Sequence, residues 1–310
     1  MPMPSRLQRA IFNNGPALLV LTTLFWAGNM IVGRWIAGQV PPVTLAFLRW
    51  LGASLLILPL AWRHLRQDGH VIRAHLPVLI VLGITGSGLF NTLQYAALVT
   101  TTTTSAGVIY AFGPIMILLM SALLNGERIR GAQVAAVAIS LAGVAIILTH
   151  GAPQDLAATV INRGDVIMLI AVGVWAFYTA YLTRRPALHP LTFAAITFFV
   201  AAILNLPLSA IELTQGAPFI LSPKTALAIL YTAVFPSLLA YLFYNRGVEL
   251  LGPSKAGAYM NLVPLFAAAL GLLILGEQPH LYHFVGFALI LGGVAIVTRT
   301  RAPSATLPQK

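Results

Sequence analysis

The 310-residue chain contains no cysteine and only seven acidic residues, and charged residues of both signs make up 8% of it. Without cysteine there is no disulfide framework and no thiolate metal site. The acids, Asp68, Glu127, Asp155, Asp165, Glu212, Glu249 and Glu277, all fall between or at the ends of apolar runs, and no histidine sits in the middle of one. A buried carboxylate relay or a cation-binding acid at depth therefore has no residues to carry it. Hydrolysis within the membrane would need an activated nucleophile, and the serine of the "GSG" stretch at Gly86 has no helical histidine to activate it. A Gly-rich loop ending in Lys-Ser/Thr is also missing, so no nucleotide motor is expected. The chain reads as a non-enzyme that holds neither cofactor nor metal.

What is there is apolar. Hydrophobic residues make up 58% and the mean hydropathy is +0.87, against roughly 45 to 50% apolar in soluble domains. Ten apolar stretches run over about 16–38, 42–62, 75–98, 102–124, 131–149, 164–182, 190–211, 224–249, 253–275 and 280–298, each bounded by Pro, Gly or charge. Each is long enough to cross a bilayer as a helix, and the continuous runs lack the alternation of a membrane barrel. The first stretch is too long for a signal-peptide core and has no small-residue cleavage pattern, so it is expected to remain as a helix.

The net charge of +11 is explained by topology, not nucleic acid. With alternate loops on alternate sides, all the basic residues outside the helices except Arg163 and Lys224 fall on one face. This positive-inside bias predicts a multi-pass membrane protein with both termini cytoplasmic.

The sequence also repeats. At an offset of 150, Ala106, Gly107, Pro114, Gly126, Glu127 and Gly143 meet identical residues at Ala256, Gly257, Pro264, Gly276, Glu277 and Gly293. At offsets of 148 to 150, Trp26 meets Trp175, Pro41 meets Pro190, Pro59 meets Pro207 and Ser87 meets Ser237. Five stretches per repeat is an odd number, so the second repeat enters the membrane from the opposite side, the inverted pattern of secondary transporters. The expected fold is all-α: a cytoplasmic segment over 1–15, a first repeat over 16–149, an external linker over 150–163, a second repeat over 164–298 and a cytoplasmic tail over 299–310. In each Gly-Glu turn the glycine is read as a left-handed helix cap and the carboxylate as a partner for the first turn of the next helix.

The runs "FWAGNMIVGRW", "PPVTLAFLRWLGASLLILPLAW" and "LQYAALVTTTTSAGVIYAFGPIMILLMSALLNGERIRGAQ" resemble the drug/metabolite transporter superfamily, EamA branch, over nearly the whole chain. Within that branch the chain is most similar to the YddG-type amino-acid exporters. The resemblance implies a ten-helix basket in a bacterial inner membrane, with a central cavity lined by helices 1, 3, 4, 6, 8 and 9 and operated by alternating access.

The residues place candidate cavity walls in similar positions. Ser87, Asn91, Gln94 and Tyr95 share one helical face of the third stretch, and Ser237, Tyr241, Tyr244 and Asn245 do the same in the eighth. Trp26 and Asn29, with Trp175 and Tyr178, add a symmetric pair from the first and sixth. Such groups either line a wet cavity or bond helix to helix. Gly83, Gly86, Pro114, Pro236 and Pro264 are candidate hinges, with static kinks as the alternative. Arg49, within the second stretch, is expected to snorkel or to make a structural pair in preference to binding substrate. A pocket of aromatics, amides and hydroxyls suits small neutral or zwitterionic solutes, above all amino acids with hydrophobic and aromatic ones among them, carried out of the cell down the solute's own gradient. Export of drug-like lipophilic compounds is the alternative, and a passive channel a remoter one. The partners expected are this solute and membrane lipids, with no nucleic acid; a monomer suffices for the pattern, which sets no oligomeric state.

Overall fold

The computed structural model describes residues 12–36, 38–98, 100–101, 106, 109–152, 162–274 and 280–299. Gly107, Gly276 and Glu277 of the repeat pattern, both terminal segments apart from 12–15 and 299, and the centre of the expected linker lie outside these residues, as does the side chain of Tyr95. The described residues are all-helical, without strands.

Helix α1 spans Gly15–Trp35, α2 Pro42–Gln67, and α3 runs from Leu76–Leu82 through a π-helical stretch, Gly83–Leu89, into Phe90–Leu98. Helix α4 covers Gly113–Asn125, α5 Gly131–Leu148, α6 Arg163–Tyr181 and α7 Pro190–Thr214. Helix α8 runs from Pro223–Thr232 through a second π-helical stretch, Ala233–Leu239, into Ala240–Leu251. Helix α9 consists of Pro253–Ala258, a 3₁₀ turn at Tyr259–Asn261 and Leu262–Ile274, and α10 covers Leu281–Arg299. Seven spans among the described residues are long and apolar enough to cross a membrane. Their outward faces carry Leu55, Leu58, Leu60, Phe199, Ile203 and Leu206, all exposed, as suits a protein whose surroundings are hydrocarbon.

Local chemistry explains where the helices start and stop. Proline opens α2, α7 and α9, where the missing N–H is not needed. The Glu212 carboxylate, near the end of α7, caps α2 by accepting from the Val43 and Thr44 amides at 3.2 and 2.7 Å. Gly126 ends α4 in the left-handed region at φ 67°, as the Gly-Glu turn predicts. Its neighbour Glu127 departs from the expectation: the carboxylate accepts from Ser254 Oγ at the start of α9, not from the first turn of α5, whose capping is supplied by Gln133. Acids bonding to residues more than a hundred positions away cannot be read from local spacing.

The helices interlock across the two halves of the chain. Helix α1 packs against α8 and α9, and α6 against α3 and α4; α2 pairs with α7 and α5 with α10. Close approach of α5 and α10 rests on glycine. A Cβ on Gly143 would come 2.7 Å from the Gly286 carbonyl oxygen, and one on Gly286 would come 2.8 Å from that of Gly143. Hydroxyls buried in these interfaces bond back to their own helices, as Thr22 does to the Leu18 carbonyl at 2.8 Å and Thr23 to that of Leu19 at 3.1 Å.

Contacts between turns sort them to two ends of the bundle. One end joins Asn13 to Arg246, Asn125 to Thr183, Glu127 to Ser254 and His64 to His189. The other joins Gln39 to Ile220, Thr101 to Asp165 and His150 to Tyr282.

Candidate functional site

Two of the three candidate hinge prolines, Pro114 and Pro264, lie where helices restart. Pro114 lies in the first turn of α4, just after Phe112, and Pro264 lies in the first turn of Leu262–Ile274, after the 3₁₀ turn. The rods are discontinuous at these points, which is where proline costs least.

The two π-helical stretches are 150 residues apart, the same offset as the sequence repeat, and they set the geometry of the centre. A π-turn widens the helix and leaves carbonyls open to other donors. Pro236 has no N–H to give the Thr232 carbonyl, and the next residue supplies a hydroxyl instead: Ser237 Oγ donates to that oxygen at 2.8 Å. The Pro236 carbonyl in turn accepts Trp26 Nε1 at 3.1 Å. In the matching position of the first half, the Gly86 carbonyl accepts the Tyr241 hydroxyl at 2.8 Å. Gly86 is required here because a Cβ would stand 2.6 Å from Tyr178 Cζ.

Around these stretches the aromatic candidates converge. Trp26 of α1 and Trp175 of α6 meet edge to face with centroids 5.2 Å apart, and Tyr244 of α8 lies 5.3 Å from the first and 5.1 Å from the second. Tyr178 packs on Trp175 at 5.2 Å, and Tyr241 meets Trp50 at 5.0 Å and 90°. Trp175, Tyr178, Tyr241 and Tyr244 are fully buried and Trp26 half-buried. Their polar tips are engaged inside the cluster: the Tyr178 hydroxyl donates to Asn245 Oδ1 at 2.7 Å, Tyr244 shares a hydrogen bond with Thr179 at 2.9 Å, and Trp175 Nε1 donates to Met260 Sδ at 3.1 Å. The rings of the centre pack edge to face or tilted against one another.

Asn91 joins the cluster from α3 through its bond with Arg49, while Asn29 and Gln94 are half-buried and make no side-chain bond to it among the described residues. Ser87 is fully buried and its hydroxyl has no hydrogen-bond partner. Local spacing did not single out Trp50, Thr179 or Met260, whose contacts come from distant segments.

Arg49 does not snorkel. It is 2% exposed, lies over the Trp50 ring at 4.9 Å, and donates to Ser237 Oγ at 2.8 Å, Asn91 Oδ1 at 3.3 Å and the Pro236 carbonyl at 3.4 Å. The acceptors sit on α3 and α8, so the side chain points across the bundle instead of along α2 to the interface.

The end of the bundle that holds Asn13 is clasped by ion pairs. Arg185 and Arg246 reach Glu249 at 3.3 and 2.7 Å, and a small cleft beside them extends inward to Asn245. On the flank, an apolar groove of about 600 Å³ runs between α3, α4 and α6, lined by Thr85, Met116, Ile170, Gly173 and Phe177 among others.

A helical membrane bundle with an aromatic and amide centre assembled from both halves of the chain is the build of a small-solute carrier. The chain belongs to the EamA-like transporter family, whose model matches residues 13–149 and again 162–299. It is 30% identical over 286 residues to an uncharacterized transporter of Archaeoglobus fulgidus, covering 91% of this chain and 96% of that one. It is 28% identical over 292 residues, 91% and 92% of the two chains, to a Streptantibioticus cattleyicolor protein named a "probable terminal-alkyne amino-acid exporter". The inner membrane transporter YicL of Salmonella typhimurium is 26% identical over 299 residues, 93% and 97% of the two chains. A solved crystal structure at 22% identity shares the fold with a TM-score of 0.75 over 92% of this chain and 96% of its own. The relatives point to a transporter and not an enzyme.

Proposed function

We propose that this protein is a secondary transporter that exports small neutral or zwitterionic metabolites, foremost amino acids, by alternating access through its aromatic centre. The observation that carries the reading is the pairing of Trp26 with Trp175 beside Tyr241 and Tyr244, with every one of their polar tips bonded inside the cluster. Rings that bury one another when empty can bury a solute's apolar side chain once they part, an exchange worth roughly 1.5 to 3 kcal/mol for a Leu- or Phe-sized group. The name of the Streptantibioticus cattleyicolor relative fits amino acids as cargo.

In this reading the chain is a ten-helix carrier of two inverted repeats, over 16–149 and 164–298. The 150-residue spacing of the π-helical stretches, the reciprocal packing of α1 and α6, and the twofold match of the family model support it. Both termini face the cytoplasm of an inner membrane, a placement favoured by the basic loops. The substrate walls are Trp26, Asn29, Ser87, Asn91, Gln94, Tyr95, Trp175, Tyr178, Ser237, Tyr241, Tyr244 and Asn245, and the bends at Gly83, Gly86, Pro114, Pro236 and Pro264 provide the hinges. The second reading, export of lipophilic compounds, draws on the apolar flank groove.

The test is uptake of labelled amino acids into proteoliposomes, with unlabelled amino acids as competitors. Trp26→Ala, Gln94→Ala, Trp175→Ala and Tyr244→Ala lower flux and shift the order of competitors, while the protein still inserts. Unchanged flux and order in all four variants would assign this face to helix packing.

A further inference from the structure

We propose that Arg49 is the anion anchor of this centre, so that the cargo is a carboxylate-bearing solute held head-on by the guanidinium while its side chain lies among the rings. The proposal rests on the transport reading above and adds the chemical group the site selects.

The argument starts from charge balance. Arginine stays protonated in any protein environment, and a buried cation is costly unless an anion answers it. None does here. Among the described residues no carboxylate lies within ion-pair distance of Arg49. The described acids are committed elsewhere: Asp68 to the His189 amide, Glu127 to Ser254, Asp165 to Thr101 and Asn162, Glu212 to the start of α2, and Glu249 to two surface arginines. The partners Arg49 does have are neutral, and the bonds to Asn91 and Pro236 are long, at 3.3 and 3.4 Å.

The surroundings are short of acceptors in the same place. Trp50 Nε1, on the ring that lies against Arg49, is buried with no hydrogen-bond partner. So is the hydroxyl of Ser87, one turn before Asn91, which receives Arg49. A guanidinium with three of its five N–H groups on neutral oxygens calls for a group rich in lone pairs, and the unbonded indole N–H of the adjacent Trp50 adds one more buried donor. A carboxylate offers about four acceptor positions and matches the guanidinium fork.

Comparison of the two halves makes the anchor singular. The position 149 residues after Arg49 is Phe198, a buried ring that packs on Trp50 at 5.2 Å. Helix α2 packs on the π-stretch of α8, and α7 on that of α3. The arginine of α2 satisfies Ser237 across the first interface, whereas the matching helix brings a phenylalanine to the second, where Ser87 is left unbonded. One charged corner and one apolar corner at matching positions of the two halves fix the orientation of an amphiphilic solute.

The experiment compares L-leucine, its carboxamide L-leucinamide, and 4-methylpentanoate, which keeps the carboxylate and lacks the amine. Each is tested as competitor of labelled leucine flux in proteoliposomes, and as a ligand raising the melting temperature of the full chain in detergent. Wild type is expected to respond to both acids and not to the amide. Arg49→Gln should raise the KM or apparent Kd for the acids by at least about tenfold, with the amide unaffected, and Arg49→Lys should keep the acid-over-amide preference at a weaker affinity. If leucine is carried but the amide competes equally, or Arg49→Lys folds and loses the preference, the anchor is wrong while the transport reading stands. If leucine flux is absent yet 4-methylpentanoate raises the melting temperature only when residue 49 is cationic, the anchor stands and the amino-acid reading falls. Response to none of the three overturns both.

Discussion

Gly86 is the residue on which the aromatic centre turns. Its carbonyl holds the Tyr241 hydroxyl, and its missing side chain leaves room for the Tyr178 ring. Gly86→Ala must push a fully buried tyrosine, bonded to Asn245, out of place, and is expected to cost about 1 to 3 kcal/mol as an overpacked core. Gly292 of α10 is the control, since a Cβ there meets nothing within 4 Å. Gly292→Ala should be neutral or stabilising by up to about 1 kcal/mol. Thermal melts of the two variants in detergent check both expectations. At this scale the sequence was a good guide wherever one face of one helix carried the message. Trp26, Trp175, Tyr178, Tyr241 and Tyr244 stand together because helical spacing and the repeat both pointed to them. It did not name the partners of Arg49 and Glu127, which lie 188 and 127 residues away. Distance along the chain to an oxygen on another helix has no periodicity to betray it.

Helices in this protein are finished by groups from other helices. The clearest case is Glu212, which supplies both amides and the Thr44 hydroxyl at the start of α2 with acceptor oxygens, while Ser209 adds a bond to that hydroxyl at 3.1 Å. Glu212→Ala leaves those donors bare at the N-terminus of a 26-residue helix and should cost about 1 to 2 kcal/mol. Glu212→Gln, which keeps one acceptor and loses the charge, should cost less. A graded fall in melting temperature, Ala below Gln below wild type, is the outcome expected. Continuous apolar runs predicted the rods well, since hydrocarbon permits little else. The π-stretches were not legible as such. Glycine and proline marked the places, but the extra residue per turn is set by what packs against it, here Tyr241 on one stretch and Trp26 with Arg49 on the other.

For the whole molecule, the sorting of turns to two ends makes a prediction about sidedness. Arg130 belongs to the turn that reaches α9 through Glu127, at the end holding Asn13, whereas Leu281 adjoins Tyr282, which packs on His150 at the other. Cysteines placed singly at these exposed positions, in a chain that has none of its own, should react with a membrane-impermeant reagent from opposite sides in intact cells. Reaction of both from one side would rule out the inverted arrangement.

The interlocking of halves also has a bearing on how the protein is made. Helix α1 leaves the ribosome well before its main partners, α8 and α9. At 5 to 20 residues per second, α1 waits roughly 10 to 40 s in the bilayer before the end of α8 exists. A helix held that long among lipids must tolerate solitude, and the hydroxyls of Thr22 and Thr23 are already tied to the Leu18 and Leu19 carbonyls of their own helix. The residues that later touch α8 and α9 thus arrive with few polar debts outstanding, so late docking closes a surface that was safe to leave open.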